Sequence, residues 1–151
     1  MSEDFSENIR FQLDETDVDI AGDTIFGTRH RVLHIDGDED AALVLATLLV
    51  PDVHVTHAMT LVEAAELIAA EEFSLVVLDP DLPDGDGTPL IDAIRLMRAG
   101  TPLLLYSARQ VRHGAQANAF LPKPWTSPRQ LWRSVSELLT LASATSSGPL
   151  S

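Results

Sequence analysis

From residue 31 onward, short apolar runs alternate with segments whose apolar residues recur every three or four positions. Val32-Leu33-His34-Ile35 predicts a strand, ended by Asp36-Gly37-Asp38. Asp38 to Leu49 predicts a helix with Ala42, Leu45 and Leu49 on one face. Val53-His54-Val55-Thr56 predicts a second strand. Thr60 is placed to cap a second helix, with Glu63 completing a capping box, and Leu61, Ala64, Ala65 and Ile68 form its apolar stripe to about Glu71. Leu75 to Leu78 is continuous in Leu and Val, as a strand buried on both faces should be. Leu90, Ile91, Ile94 and Met97 line a third helix that Gly100 ends. Leu103-Leu104-Leu105-Tyr106 and the shorter Ala119-Phe120-Leu121 predict strands four and five. Ser127 caps a last helix with Pro128 in its first turn and Leu131, Val135 and Leu138 as its inner stripe.

Strands and helices in strict alternation, joined by short connections, imply a mostly parallel sheet covered by helices on both faces. Five strands fit the flavodoxin-like order 2-1-3-4-5, an α/β (βα)5 architecture. Its chemistry gathers at the switch point, outside the carboxyl ends of strands one and three. Asp36 ends the first and Asp79 the third, so two acids converge there. The expected divisions are an acidic extension over 1–30, one domain over 31–141 and a small, polar, frayed tail over 142–151. In the extension, Ile9, Phe11 and Leu13 alternate with polar residues, as do Val18 and Ile20. That period suggests a hairpin or an extended arm, packed on this chain or on a second copy; a solvated acidic tail fits the same composition.

Composition narrows the function. The 151 residues carry a net charge of −13, and residues 1–30 alone hold eight acids against two bases. Phosphate backbones select positive surfaces, so nucleic acid is not an expected partner. No cysteine is present, which removes disulfides, thiolate catalysis and thiolate metal sites. The longest apolar run, Ala41 to Val50, is too short to span a bilayer, and the acidic N-terminus is no secretory signal. The expectation is a cytoplasmic protein with no membrane partner. The five histidines show no metal-ligand spacing, and a surface or packing role is expected for each.

The richest stretch for chemistry is Leu75-Val76-Val77-Leu78-Asp79-Pro80-Asp81-Leu82-Pro83-Asp84-Gly85-Asp86-Gly87. A lone carboxylate at a strand's carboxyl end can be a nucleophile, a metal ligand, or both. Asp-Pro also starts turns, Asp36 before Gly37 also reads as a turn or helix cap, and Ser107 as a loop hydroxyl. Lys123 also reads as a surface lysine and Phe120 as a packed strand residue.

Taken together, Ile35-Asp36, Asp79 with Leu82-Pro83 and Gly87, Ser107-Ala108, and Lys123-Pro124 with Trp125 resemble the receiver (REC) domains of two-component response regulators. The likeness covers about residues 31–141. It implies a phosphoacceptor at Asp79, a magnesium ion held by Asp36, Asp79 and the backbone carbonyl of Asp81, and phosphoryl contacts from Ser107 and Lys123. Ala108 would leave room for the incoming group, and Phe120 would be the aromatic switch. The Lys123–Pro124 bond would be cis. The implied function is a phospho-accepting signalling switch or adaptor with no fused output domain. It is not an enzyme beyond self-phosphorylation from a donor and autodephosphorylation. Its expected partners are a histidine kinase or histidine phosphotransfer protein, an unknown downstream protein and, in some cases, a second copy as a homodimer.

Two departures stand out. Gly37 replaces the second acid that the family places beside the metal. The Ser107-to-Lys123 interval is between one and two turns short, at roughly 3.6 residues per turn, so the fourth helix is expected to be shortened or replaced by a loop. Two alternatives follow. One is a degenerate receiver that binds partners without phosphorylation. The other is a haloacid-dehalogenase-like phosphohydrolase, because Asp79-x-Asp81, Ser107 and Lys123 occur in that chemistry too. Those enzymes put the nucleophile on the first strand of the core, whereas Asp79 follows the third.

Overall fold

In the computed structural model, which describes residues 30–108 and 117–147, the first apolar run forms β1, His30–Ile35. Helix α1 spans Glu39–Leu49 and buries Ala42, Leu45 and Leu49, the expected stripe. Asp38 caps it, its carboxylate accepting the N–H groups of Asp40 and Ala41. β2 runs Val53–Ala58, two residues longer than the pattern suggested. α2, Leu61–Ala70, begins at Thr60, whose hydroxyl accepts the Glu63 N–H at 3.1 Å. The Glu63 carboxylate reaches back to the Met59 N–H at 2.7 Å. β3 is Leu75–Leu78, buried at every position.

The next element escaped the sequence pattern. β4, Asp81–Leu82, and β5, Gly85–Asp86, form a small antiparallel hairpin across Pro83-Asp84. Strands of two residues are too short to show a period. Gly85 holds φ at 152°, a conformation that side-chain-bearing residues rarely adopt. α3 spans Pro89–Met97 and buries Leu90, Ile91 and Ile94, while Met97 is largely exposed. β6 is Leu103–Ser107 and β7 Ala119–Pro122. A 3₁₀ turn at Lys123–Trp125 leads to α4, Pro128–Ser147. A capping box opens α4: Gln130 N–H donates to the Ser127 hydroxyl at 3.1 Å, and Ser127 N–H donates to the Gln130 side chain at 2.8 Å.

The main sheet has the order β2-β1-β3-β6-β7, with β1–β3, β3–β6 and β6–β7 parallel. This is the expected flavodoxin-like order, with β6 and β7 as the fourth and fifth strands. On one face, Leu33, Ile35, Val76, Leu78, Leu103 and Leu105 pack with Ile68 of α2 and the inner stripe of α3. On the other face, α4 packs on β3 and against α1. Because side chains alternate along a strand, His34 and Asp36 belong to this second face.

Two expectations are corrected. The last helix continues to Ser147 instead of fraying from residue 142. Ala142 to Ser147 contains no helix breaker, and Gly148-Pro149 is the first strong stop signal. The Lys123–Pro124 bond is trans: Val50–Pro51 is the cis peptide among the described residues. Lys123 opens a 3₁₀ turn instead, closed by the Thr126 N–H on its carbonyl, and it reaches inward without a cis bond. The proposed arm over residues 9–26 and most of the shortened fourth helix lie outside the described residues.

Candidate functional site

The sheet register builds the site. Ile35 pairs with Leu78, and the Asp79 N–H donates to the Ile35 carbonyl at 2.8 Å. Asp36 and Asp79 thus leave adjacent strands at the same level, on the α1 and α4 face. The Asp36 N–H donates to the Ala58 carbonyl at 2.9 Å, which ties it to β2 as well. Ser107 ends β6, fully buried, in register with Pro122. Lys123 follows Pro122 at once, so the sheet itself delivers the lysine to the acids.

The ammonium of Lys123 lies between the two carboxylates. Its Nζ is 2.6 Å from Asp79 Oδ2 and 2.9 Å from each oxygen of Asp36. Asp36 and Asp79 are almost completely buried. Asp36 Oδ1 also accepts the Asp38 N–H at 2.9 Å, and Asp79 Oδ1 the Asp81 N–H at 2.9 Å. Beside Lys123, a cleft of about 390 Å³ is lined by Asp38, Ala41, Val44, Tyr106 and Ala108.

Electrostatics follow from burial and pairing. Burial pushes the Asp36 pKa up, but His34, the Asp38 N–H and Lys123 together outweigh it and hold the carboxyl below its ordinary range. Burial pulls Lys123 down, and its bonds to Asp79 and Asp36 more than reverse this, so its pKa is raised. Burial raises Tyr106, whose ring lies 5.8 Å from the Lys123 nitrogen.

The metal implied by the likeness can be tested against these residues. Among the described residues no group of three or more His, Asp or Glu side chains is placed to hold a metal. Two carboxylates nevertheless close on a single cationic nitrogen, which stands in for a metal's positive charge. Magnesium prefers hard oxygen donors and is commonly held by one or two carboxylates with phosphate oxygens and water. The donor set therefore fits it.

Asp36, Asp79 and Lys123 come together, and Ser107 ends the neighbouring strand β6. Asp81 opens the β4–β5 hairpin just after Asp79, and Phe120 lies half-exposed on the edge strand β7. Two histidines were missed. His57 Nε2 is 2.7 Å from the Asp36 carbonyl oxygen, and His34 Nε2 is 3.3 Å from Asp36 Oδ2. The period of two along β1 already puts His34 on the Asp36 face; finding His57 needs the pairing of β2 with β1.

A five-stranded parallel sheet of order β2-β1-β3-β6-β7, with two strand-end acids bridged by a lysine, is a flavodoxin-like α/β domain. The response regulator receiver domain family matches residues 32–136, and the chain belongs to it. PetR of Rhodobacter capsulatus is 34% identical over 126 residues, 79% of this chain and 53% of PetR, so the chain spans about half of that relative. A CheY-like receiver domain from Methanospirillum hungatei superposes with a TM-score of 0.70 at 26% identity, covering 76% of this chain and 97% of that one. TrrA of Thermotoga maritima, solved with Mg(2+)-BeF, has a TM-score of 0.64 at 20% identity over 72% of this chain and 98% of its own, a likeness of fold alone. Among the described residues no helix is long and apolar enough to cross a membrane.

Proposed function

We propose that this chain is a phospho-accepting switch in a two-component pathway, with Asp79 as the acceptor. The observation that carries this is the bridging of Asp79 and Asp36 by Lys123 at 2.6 and 2.9 Å, at the carboxyl ends of adjacent strands. An Asp79 oxygen attacks the phosphorus of a phosphohistidine on a kinase or phosphotransfer protein. The P–N bond breaks, the imidazole leaves with the bonding pair and takes up a proton, and an acyl phosphate forms on Asp79. Lys123 stays beside the new phosphate as a mobile positive charge, and the Ser107 hydroxyl donates to one of its oxygens. Asp36, Asp79 and the Asp81 carbonyl would hold magnesium, which supplies charge to neutralise the phosphoryl oxygens. The donor enters through the cleft beside Ala108. Phe120, on the edge strand, is the residue that relays the change to a downstream protein.

Intact-mass measurement after incubation with a small acyl-phosphate donor and magnesium tests this. The parent gains one phosphoryl group and Asp79→Asn gains none; an adduct that persists in the variant overturns the assignment. One observation favours a second reading, a receiver that binds partners without phosphorylation. Gly37 supplies no acid, and a Cβ built on it would lie 2.9 Å from Pro83 Cδ. A parent that takes up neither magnesium nor phosphoryl group establishes that reading.

A further inference from the structure

We infer that His57, backed by His34, is a positioning residue for Asp36. The inference rests on the reading of Asp36 as the acid that faces cation and phosphoryl group. Asp36 stands on a strand end followed by Gly37, which has no side chain with which to fix the turn. Another group must hold the Asp36–Gly37 peptide, and β2 provides it. His57 Nε2 lies 2.7 Å from the Asp36 carbonyl oxygen. A carbonyl can only accept, so Nε2 carries the proton and His57 is the donor. With the Asp36 N–H given to Ala58, both backbone polar groups of Asp36 are tied to β2.

His34 stands behind the carboxylate. It is fully buried on β1, two residues before Asp36 and on the same face. Its Nε2 is 3.3 Å from Asp36 Oδ2, and neither ring nitrogen makes an aligned hydrogen bond. A buried polar group left without a hydrogen bond is costly, and Val or Leu would fill the site without that cost. The ring therefore gains its place from what it does to its neighbours. It stands 5.8 Å from the His57 ring, so both imidazoles lie beside Asp36, one at its carboxylate and one at its carbonyl. Asp36 Oδ1 is then left to the Asp38 N–H and Lys123, and the carboxylate keeps one orientation toward Asp79.

The test compares the full-length parent with His57→Leu and His57→Gln, whose amide nitrogen can take the place of Nε2. Long-range ¹H–¹⁵N spectra of metal-free protein should show His57 with its proton on Nε2; a proton on Nδ1 overturns the inference. Calorimetric titration with magnesium alone should show a dissociation constant raised about 10–100-fold in His57→Leu, the size of other outer-shell losses, and largely restored in His57→Gln. His34→Leu should weaken binding in the same direction. Parent-like affinity in His57→Leu, or equal weakness in the Gln variant, overturns the inference. If the parent itself takes no magnesium, the proposed function fails. Exchange of the Asp38 amide in metal-free protein then decides this inference separately. That exchange should speed at least about tenfold in His57→Leu, as its acceptor on Asp36 loses its hold, and unchanged exchange overturns the inference. If His57→Leu does not fold, the tautomer and the Gln variant decide.

Discussion

Gly37 is the residue that sets this acid pair apart. Its φ is not in the left-handed region, since Gly85 is the positive-φ glycine among the described residues. An aspartate there meets no backbone penalty. Its Cβ would meet Pro83 Cδ at 2.9 Å, however, so the proline ring must shift to admit it. Asp38 cannot readily substitute, because its carboxylate already caps α1. Restoring the acid should therefore tighten magnesium binding by at least about tenfold, taking outer-shell losses as the lower bound. Magnesium titration of Gly37→Asp against the parent checks this. An unchanged dissociation constant in a folded variant would mean that Gly37 is not what limits the metal.

At the level of elements, the β4–β5 hairpin is more than a connection. Asp84, at its tip, accepts the Leu61 N–H at 2.7 Å and the Val62 N–H at 3.2 Å. Both belong to the first turn of α2, where unpaired N–H groups and the positive end of the helix dipole favour an anion. The bond from Leu61 outweighs the opposing effect of burial and, with that from Val62, depresses the Asp84 pKa. A depressed folded pKa adds stability that is present above the ordinary aspartate range. That stability is lost as pH falls from there through the folded value. An NMR titration should place Asp84 below exposed aspartates. Asp84→Asn should keep an acceptor yet lose this part of the acid dependence of stability. An Asp84 that titrates with the exposed acids would contradict the bridge.

Across the whole domain, stability rests on two apolar layers against one sheet. Ile94 is fully buried where α3 meets Leu33, Val76 and Leu103 in the core cluster. Ile94→Ala should cost about 2–5 kcal/mol, transfer loss plus residual cavity. Phe120→Ala, on the edge strand and 38% exposed, should cost clearly less. Urea unfolding of both variants checks the order, and a larger loss for Phe120 would show that the edge strand is part of the main core. The acid pair stands at the rim of these layers, so Asp79→Asn should change phosphorylation without a comparable loss of fold.

The chain's periodicity determined the strands β1, β3 and β6 and the buried faces of α1 and α4. Alternation of strand and helix determined the sheet order, because parallel connections permit few alternatives. Asp36 and Asp79 were legible for the same reason: each follows an apolar run, and such runs end at one rim; Ser107 and Lys123 were candidates only through the likeness to receiver domains. Tertiary structure alone decided what has no period. The hairpin of two-residue strands is local but too short to show a period, and the trans Lys123–Pro124 bond is the ordinary state of an X-Pro bond. The Asp84 cap, by contrast, depends on contacts between segments more than twenty residues apart. So does the role of His57, which reads as a surface or packing residue until β2 lies beside β1. Hydrogen bonds to single backbone atoms leave no trace in composition or spacing, whereas burial of a whole face does.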